Sequence, residues 1–357
     1  MALEQSVVTL LDSLKDDFLN LTGKEMNLSY KVEISSNSLL VNCTVGFPKL
    51  LLENTFKNIA LTALQQKFPQ YQITFNMNQF IKAHKTQLTG KGLRGVKNTI
   101  AIASGKGGVG KSTVTVNLAT ALARLGARVG ILDADIYGPS IPLMLGATEP
   151  VQIEGDLYVP VNAHGIQAMS IGYLTDSEQP LIWRGPMLAK SLIQMLDSTR
   201  WDELDYLFID LPPGTGDIQL TLVQKIPLTA AVVVTTPQNV ATLDAQKALA
   251  MFSRTGVDVL GIIENMSTHI CSNCQHEEAI FGSGGAQALS NKHNTVLLGQ
   301  LPLNARIQQQ CDAGVPTATQ KRDQLTDVFV KTAMQTAIEL SKKPLNYADR
   351  FPKIVVE

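Results

Sequence analysis

Apolar residues recur at three- and four-residue steps near the start of the chain, and this spacing predicts a helix. The residues concerned are Val7, Leu10, Leu11, Leu14 and Phe18. Strand-like apolar residues follow at 39–45, a second helical pattern covers residues 51–68, and residues 71–75 alternate as in a half-buried strand. We therefore predict a small α+β domain over residues 1–85.

The hydrophobic pattern then stops. Residues 86–97 are rich in glycine and basic side chains and contain few large apolar residues. Such a composition is typical of a solvent-exposed connector. We predict a linker over residues 86–97.

From residue 98 onward, short continuous apolar runs alternate with helical patterns. The predicted strands cover residues 99–104, 128–132, 206–209, 230–235, 257–263 and 296–299. Continuous rather than alternating hydrophobicity indicates strands that are covered on both faces, which is typical of a parallel sheet between helices. Residues 98–357 are therefore predicted to form a doubly wound α/β domain with a mostly parallel sheet.

Composition and charge narrow the class of protein. The 357 residues are 45% hydrophobic and include 30 Lys+Arg against 31 Asp+Glu, which excludes disordered and fibrous proteins. A near-neutral chain has no strong field for attracting nucleic acid or anionic lipid, so we expect neither partner.

Asp12, Asp16 and Asp17 interrupt the first apolar stretch, which is not typical of a signal peptide. We expect a cytoplasmic protein, and the four irregularly spaced cysteines do not indicate a disulfide framework.

A glycine-rich segment at residues 105–113, GKGGVGKST, fits the phosphate-binding pattern G-x-x-x-x-G-K-[ST]. It follows a predicted strand and opens a predicted helix, where backbone N–H groups can surround phosphate oxygens. Lys111 is expected to reach the β- and γ-phosphates of ATP, and the Ser112 hydroxyl to bind Mg²⁺. The residues predicted to hold the nucleotide are Gly105, Lys106, Gly107, Gly108, Val109, Gly110, Lys111, Ser112 and Thr113.

Acidic residues end two further strands. The segment LDADIYGPS contains Asp133 and Asp135, and the segment YLFIDLPPGTGD contains Asp210. The carboxyl ends of parallel strands share one edge of a sheet, so these carboxylates are expected near the phosphates. We predict that Asp133 and Asp210 support Mg²⁺, whereas an ordinary strand-end turn remains the alternative for the first segment.

Cys271 and Cys274 form a Cys-x-x-Cys pair in a polar loop. No predicted helix begins beside them to lower a thiol pKa, so redox chemistry is not favoured. His269 and His276 flank the pair and make a zinc site the alternative, although all four lie within one short loop. Two thiolates are also half of the ligands of a 4Fe-4S cluster, and a twofold dimer would supply the other half.

Lys106 adds a second lysine to the phosphate-binding loop. With this lysine the loop resembles that of the deviant-Walker ATPases, the MinD, ParA, ArsA and nitrogenase iron-protein group. In that group the corresponding lysine reaches the nucleotide of a partner subunit, which implies a homodimer. The resemblance also implies that Asp135 polarises the attacking water and that Asn265 and Pro302 line the adenine. An ordinary strand-end turn remains the alternative for Asn265. Lys106, Lys111, Asp135 and Asp210 are then the expected catalytic residues.

Four motifs together narrow the resemblance to the Mrp/ApbC family of iron-sulfur cluster carrier ATPases. They are KGGVGKST, LDADIYGPS, DLPPGTGD and ENMS-x3-C-x2-C, within residues 98–345. The resemblance implies a slow ATP hydrolase that binds a labile 4Fe-4S cluster between two subunits on Cys271 and Cys274. It also implies a cluster donor and apo-protein clients, with ATP binding or hydrolysis governing the transfer.

Two other functions remain as alternatives. A MinD- or ParA-like spatial-regulation ATPase usually ends in a membrane-binding helix or carries a DNA-binding patch, whereas Pro344 interrupts the helical pattern near the C-terminus. A zinc-stapled ATPase would use Cys271 and Cys274 as structural ligands. The N-terminal domain resembles a diverged iron-sulfur-assembly domain without its usual Asp-Pro turn, and we expect Cys43 to be buried and Cys311 to have no role.

Overall fold

The structure is a computed structural model that describes residues 2–136, 138–174, 185–271, 273–274 and 276–346. The predicted end of the second domain, residues 347–357, lies outside the described residues. Within the described part, no helix is both long and apolar enough to cross a membrane.

The N-terminal region folds into a three-stranded sheet with helices on one face. Its elements are α1 (Ala2–Ser13), β1 (Ser29–Ile34), β2 (Ser38–Val45), α2 (Leu50–Asn54), α3 (Phe56–Lys67) and β3 (Gln72–Gln79). The strands lie in the order β1-β2-β3, with β1 antiparallel and β3 parallel to β2. Alternate residues of β2 are buried, including Cys43, so this strand has one apolar face.

The larger region contains an eight-stranded sheet among the described residues. The first half of this region comprises β4 (Thr99–Ser104), α4 (Lys111–Arg124), β5 (Val129–Asp133), α5 (Ile141–Met144), β6 (Gln152–Glu154), β7 (Leu157–Val159), β8 (Val161–Ala163), β9 (Ile166–Ser170) and α6 (Gly185–Ser198). Its second half comprises β10 (Tyr206–Asp210), α7 (Asp217–Lys225), β11 (Ala230–Thr235), α8 (Asn239–Thr255), β12 (Val259–Glu264), β13 (His269–Ile270), β14 (Glu277–Glu278), α9 (Gly285–Lys292), β15 (Val296–Gln300), α10 (Ala305–Asp312) and α11 (Gln324–Ser341).

The strand order is β15-β12-β11-β4-β10-β5-β9-β8, and every pairing in this sheet is parallel except that of β8 with β9. Strands β4, β5, β10 and β11 are fully buried, as their continuous hydrophobicity predicted. Helices cover both faces of the sheet, with α4 and α11 contributing to one core and α6 and α8 to the other. The predicted α/β fold with a mostly parallel sheet is confirmed.

The core on the α4 and α11 side is continuous with the core of the N-terminal region. Phe329 and Met334 of α11 belong to the same cluster as Leu11 and Phe56. The Phe18 ring also lies 4.5 Å from the Arg322 guanidinium carbon and 4.9 Å from the Lys331 ammonium nitrogen. The two regions therefore share apolar packing and cation–π contacts.

The segment between the regions packs against the larger one. The Gln87 amide nitrogen donates to the carbonyls of Val223 (2.8 Å) and Ile226 (2.7 Å), and its oxygen accepts from the Leu228 N–H (2.7 Å). His84 forms an antiparallel bridge with Leu345 beyond α11. Part of the predicted linker is thus held by hydrogen bonds that its composition did not indicate.

Candidate nucleotide and cysteine sites

The phosphate-binding loop connects β4 to α4 at the carboxyl edge of the sheet. Gly108 and Gly110 both have φ of +79°, a conformation that glycine adopts without the strain of a Cβ atom. A Cβ on Gly110 would also collide with the amide nitrogen of Asn265. The loop surrounds a cavity of about 200 Å³ whose lining includes every residue from Lys106 to Thr113, together with Asp135 and Pro213. The sequence-predicted loop residues therefore face one cavity, except Gly105, where a Cβ would collide with the Asp244 backbone.

Asp210 is the centre of a buried polar cluster next to this loop. Its Oδ2 atom lies 2.8 Å from Lys111 Nζ and accepts a hydrogen bond from Ser112 Oγ at 2.6 Å. Its Oδ1 atom accepts from Thr115 Oγ1 at 2.7 Å. Thr115 was not predicted, although its position one helical turn after Lys111 places it on the same face of α4. Hydroxyl and carboxylate oxygens are ligands suited to Mg²⁺, so Ser112 and Asp210 fit that ion chemically.

Asp133 and Asp135 have different surroundings. Asp133 is fully buried and accepts from Ser170 Oγ (3.0 Å), from the Asp135 N–H (3.1 Å) and from the Ile141 N–H (3.3 Å). Burial, with a further contribution from the Asp210 charge, raises the pKa of Asp133 to about 7. Asp133 therefore fastens the loop that carries Asp135 to strand β9. The assignment of Asp133 to Mg²⁺ stays a prediction.

The Asp135 side chain lines the cavity of the phosphate-binding loop and is more exposed than that of Asp133. Its Oδ2 atom lies 3.9 Å from Lys111 Nζ, and its side chain is 16% exposed. Burial raises the pKa of Asp135 despite the nearby Lys111 charge. The carboxylate can thus be reached by water from the cavity that the phosphate-binding loop lines.

Asn265 and Pro302 have different surroundings. The Asn265 amide nitrogen donates to the Val109 carbonyl at 2.9 Å, and the side chain is buried. Pro302 lines a cavity of about 890 Å³ beside His269 and Ile270. The structure therefore brings Asn265 to the phosphate-binding loop, and the assignment of both residues to adenine stays a prediction.

The cysteine pair lies at the tip of the β13–β14 hairpin. Cys271 is partly exposed, Cys274 is exposed, and the Cys271 N–H donates to the His276 carbonyl at 2.9 Å. Hydrogen bonds from the backbone N–H groups of Cys274 and Asn273 lower the pKa of the Cys271 thiol. This arrangement favours the thiolate form that binds metals.

The flanking histidines do not complete a metal site within one chain. The Nδ1 atom of His269 lies 3.2 Å from the Leu303 carbonyl oxygen. Throughout residues 2–136, 138–174, 185–271, 273–274 and 276–346, no three His, Cys, Asp or Glu side chains are grouped to hold a metal ion. One chain therefore offers the two thiols without further ligands from its described residues.

Comparisons with known proteins identify the family of this chain. The family model described as "ParA: NUBPL iron-transfer P-loop NTPase" matches residues 95–338. The iron-sulfur cluster carrier protein of Haemophilus influenzae is 48% identical over 322 residues, which cover 88% of this chain and 86% of that protein.

Two solved structures are also similar. The nucleotide-binding protein of Archaeoglobus fulgidus, in complex with ADP, is 38% identical with a TM-score of 0.58 and covers 66% of this chain and 93% of its own. The cell division ATPase MinD of Pyrococcus furiosus is 22% identical with a TM-score of 0.50, covers 67% and 97%, and shows the fold alone. The family match spans more than half of the sequence, and the chain belongs to the NUBPL-type iron-transfer P-loop NTPases.

Proposed function

We propose that this protein is an ATP-dependent iron-sulfur cluster carrier that holds a 4Fe-4S cluster on Cys271 and Cys274 of two copies. The observation that carries the proposal is the pair of thiols at the hairpin tip, one partly exposed and one exposed, with no third ligand in the described part of the chain. A cluster needs about four protein ligands, and twofold symmetry doubles the two that one chain supplies. The carrier name of the Haemophilus influenzae relative supports this proposal.

Nucleotide binding would rearrange the polar cluster at Asp210. The Lys111 ammonium group, now paired with Asp210, would move to the β- and γ-phosphates of ATP. Ser112 and Asp210 would then hold Mg²⁺, and Asp135 would orient the attacking water. Lys106 would reach the nucleotide of the partner copy. The ADP complex of the Archaeoglobus fulgidus neighbour supports nucleotide binding in this fold.

The cargo would pass between proteins. A cluster donor would load the thiolates, and apo iron-sulfur proteins would receive the cluster, with ATP binding or slow hydrolysis changing its exposure. We propose no nucleic-acid or membrane partner, because the near-neutral sequence has no strong net charge for attracting either. We also propose a cytoplasmic location, where the free thiols would stay reduced.

Anaerobic reconstitution tests the cargo. We expect about four iron and four sulfide ions per two chains, with sulfur-to-iron charge-transfer absorption in the visible range. The pair Cys271→Ala and Cys274→Ala should bind no cluster, whereas Cys43→Ala and Cys311→Ala should bind normally because both thiols are buried. Tightly bound zinc in place of iron after anaerobic purification would support the zinc-stapled alternative and overturn the carrier.

Transfer to an apo-acceptor tests the role of ATP. Loaded wild-type protein should transfer its cluster at a rate that depends on added ATP and Mg²⁺. Lys111→Ala should transfer at a rate independent of ATP, because it lacks the phosphate contact. Equal ATP dependence in both proteins would remove the nucleotide from the mechanism.

A further inference from the structure

The cysteine hairpin belongs to an excursion from the sheet that covers residues 265–284. It leaves where β12 ends at Glu264 and returns where α9 begins at Gly285. Both thiols and both hairpin strands lie within this excursion. The position of the thiols therefore depends on how firmly the two ends of the excursion are held.

Glu264 contacts both ends. Its side chain is 99% buried, and its Oε2 atom accepts a hydrogen bond from the Ala286 N–H, in the first turn of α9, at 3.0 Å. Its Oε1 atom accepts from the Gln300 amide nitrogen at 2.8 Å, at the end of the neighbouring strand β15. The N-terminus of α9 also carries partial positive charge, which favours a carboxylate at this position. One buried carboxylate thus joins the start of the excursion, its end and the adjacent strand.

Close backbone packing at one end and a side-chain hydrogen bond at the other also hold the excursion. A Cβ on Gly285 would lie 2.5 Å from the Pro237 carbonyl oxygen, so α9 begins in direct contact with the loop after β11. At the other end, Asn265 follows Glu264 and donates to the Val109 carbonyl of the phosphate-binding loop. Adjacent side chains therefore connect the excursion to α9 and to the nucleotide site.

We propose that Glu264 is a positioning residue for cluster binding, whose carboxylate clamps the two ends of the cysteine excursion and holds the thiols in a fixed relation to the phosphate-binding loop. The expected effect of this clamp on cluster retention rests on the proposed carrier function, whereas its expected effect on the order of the hairpin does not. A loop whose ends are fixed loses less conformational entropy when its thiolates bind a cluster. Residues that orient metal ligands in this way usually affect metal affinity without contacting the metal.

Four variants of the full chain separate the clamp from general stability. Glu264→Ala removes both hydrogen bonds, and Gln300→Ala removes one of them at an exposed position. Glu264→Gln keeps an acceptor for the Ala286 N–H, and rotation of the Gln300 amide restores the second bond. Glu278→Ala changes an exposed carboxylate on the hairpin itself and is the matched control.

Hydrogen exchange of residues 266–276 in the cluster-free protein is the first readout. We expect exchange about fivefold faster in Glu264→Ala and faster in Gln300→Ala, because each loses at least one hydrogen bond to the residue 264 side chain. Glu264→Gln and Glu278→Ala should match wild type. The affinity for ADP should change less than twofold in all four variants. General destabilisation would instead alter both the hairpin exchange and the ADP affinity.

Cluster loss to an iron chelator is the second readout. We expect about fivefold faster loss from Glu264→Ala and wild-type kinetics from Glu264→Gln. Unchanged hairpin exchange in both Glu264→Ala and Gln300→Ala would overturn the clamp, even if the protein carries a cluster. If both variants exchange faster but the wild-type protein binds no iron, the clamp is supported and the carrier function is overturned.

Discussion

Lys111 Nζ lies 2.8 Å from Asp210 Oδ2, and both side chains are more than nine-tenths buried. The lysine predicted to bind phosphate is thus held by the aspartate predicted to support Mg²⁺. Ser112 and Thr115 donate to the same carboxylate, so the Asp210 side chain contacts three other side chains among the described residues. Binding of ATP and Mg²⁺ would exchange these contacts for contacts to phosphate and metal oxygens.

The first prediction concerns Lys111→Met. We expect kcat for ATP hydrolysis to fall about 100-fold or more, because one positive group would no longer stabilise the phosphoryl transition state. Phosphate release at saturating ATP and Mg²⁺ measures the effect. Lys292→Met, on the exposed side of α9, is the control and should stay within twofold of wild type. A similar small effect for Lys111→Met would contradict the proposed site.

The second prediction compares two glycines of the phosphate-binding loop. Both have φ of +79°, so alanine at either position should cost about 1–2 kcal/mol of unfolding free energy through backbone strain. Only the Cβ of Gly110→Ala would meet Asn265, because the space beside Gly108 is open. We therefore expect Gly110→Ala to be less stable than Gly108→Ala by about 1–3 kcal/mol in urea unfolding.

A double variant isolates this contact. Adding Asn265→Ala to Gly110→Ala should recover part of the difference, because the colliding amide is gone. Equal stabilities of Gly108→Ala and Gly110→Ala would show that Asn265 yields without cost.

The sequence was sufficient to predict the sheet because continuous apolar runs identify strands that are buried on both faces. Strands β6 to β9 were missed because β6, β7 and β8 contain three residues each and the polar Gln167 interrupts the apolar residues of β9. Ser170 was missed because its bond to Asp133 joins residues 37 positions apart in the chain. Contacts of this kind depend on strand order, which local pattern does not specify.

The hydrogen bonds of Glu264 likewise join residues that are distant in the chain and could not be predicted from local sequence. The ENMS motif drew attention to Asn265, whereas nothing local indicates that the preceding carboxylate bonds to Ala286 and Gln300. Around Cys271 and Cys274 the sequence predicts only a polar loop, whereas the structure forms a short hairpin. Its two strands contain two residues each and are too short for an alternating pattern.

The third prediction concerns thiol reactivity. Hydrogen bonds lower the pKa of Cys271, whereas burial raises the pKa of Cys43 to about 12 and that of Cys311 above its ordinary value. A lowered pKa keeps the thiolate present at lower pH, so the alkylation rate of Cys271 should level off below the pH of about 8.5 typical of a free cysteine. Peptide mass spectrometry after short iodoacetamide pulses measures each rate.

In the cluster-free native protein, Cys43 and Cys311 should stay unmodified during these pulses. In urea all four cysteines should react with the pH dependence of ordinary thiols, which provides the control. Alkylation of Cys43 in the native protein before Cys271 would contradict both the burial and the pKa difference.

The last prediction concerns His84, where the connecting segment meets the larger region. Its Nδ1 atom lies 2.9 Å from Asn98 Oδ1, and burial lowers its pKa below the usual 6.5. The unfolded chain therefore binds a proton more readily, and unfolding free energy contributed by His84 should be lost as pH falls below about 6.5. His84→Gln should lose less stability than wild type between about pH 7.5 and 5.5 in urea unfolding, whereas the exposed-site control His276→Gln should follow wild type. Parallel losses in all three proteins would show that His84 titrates equally in the folded and unfolded states.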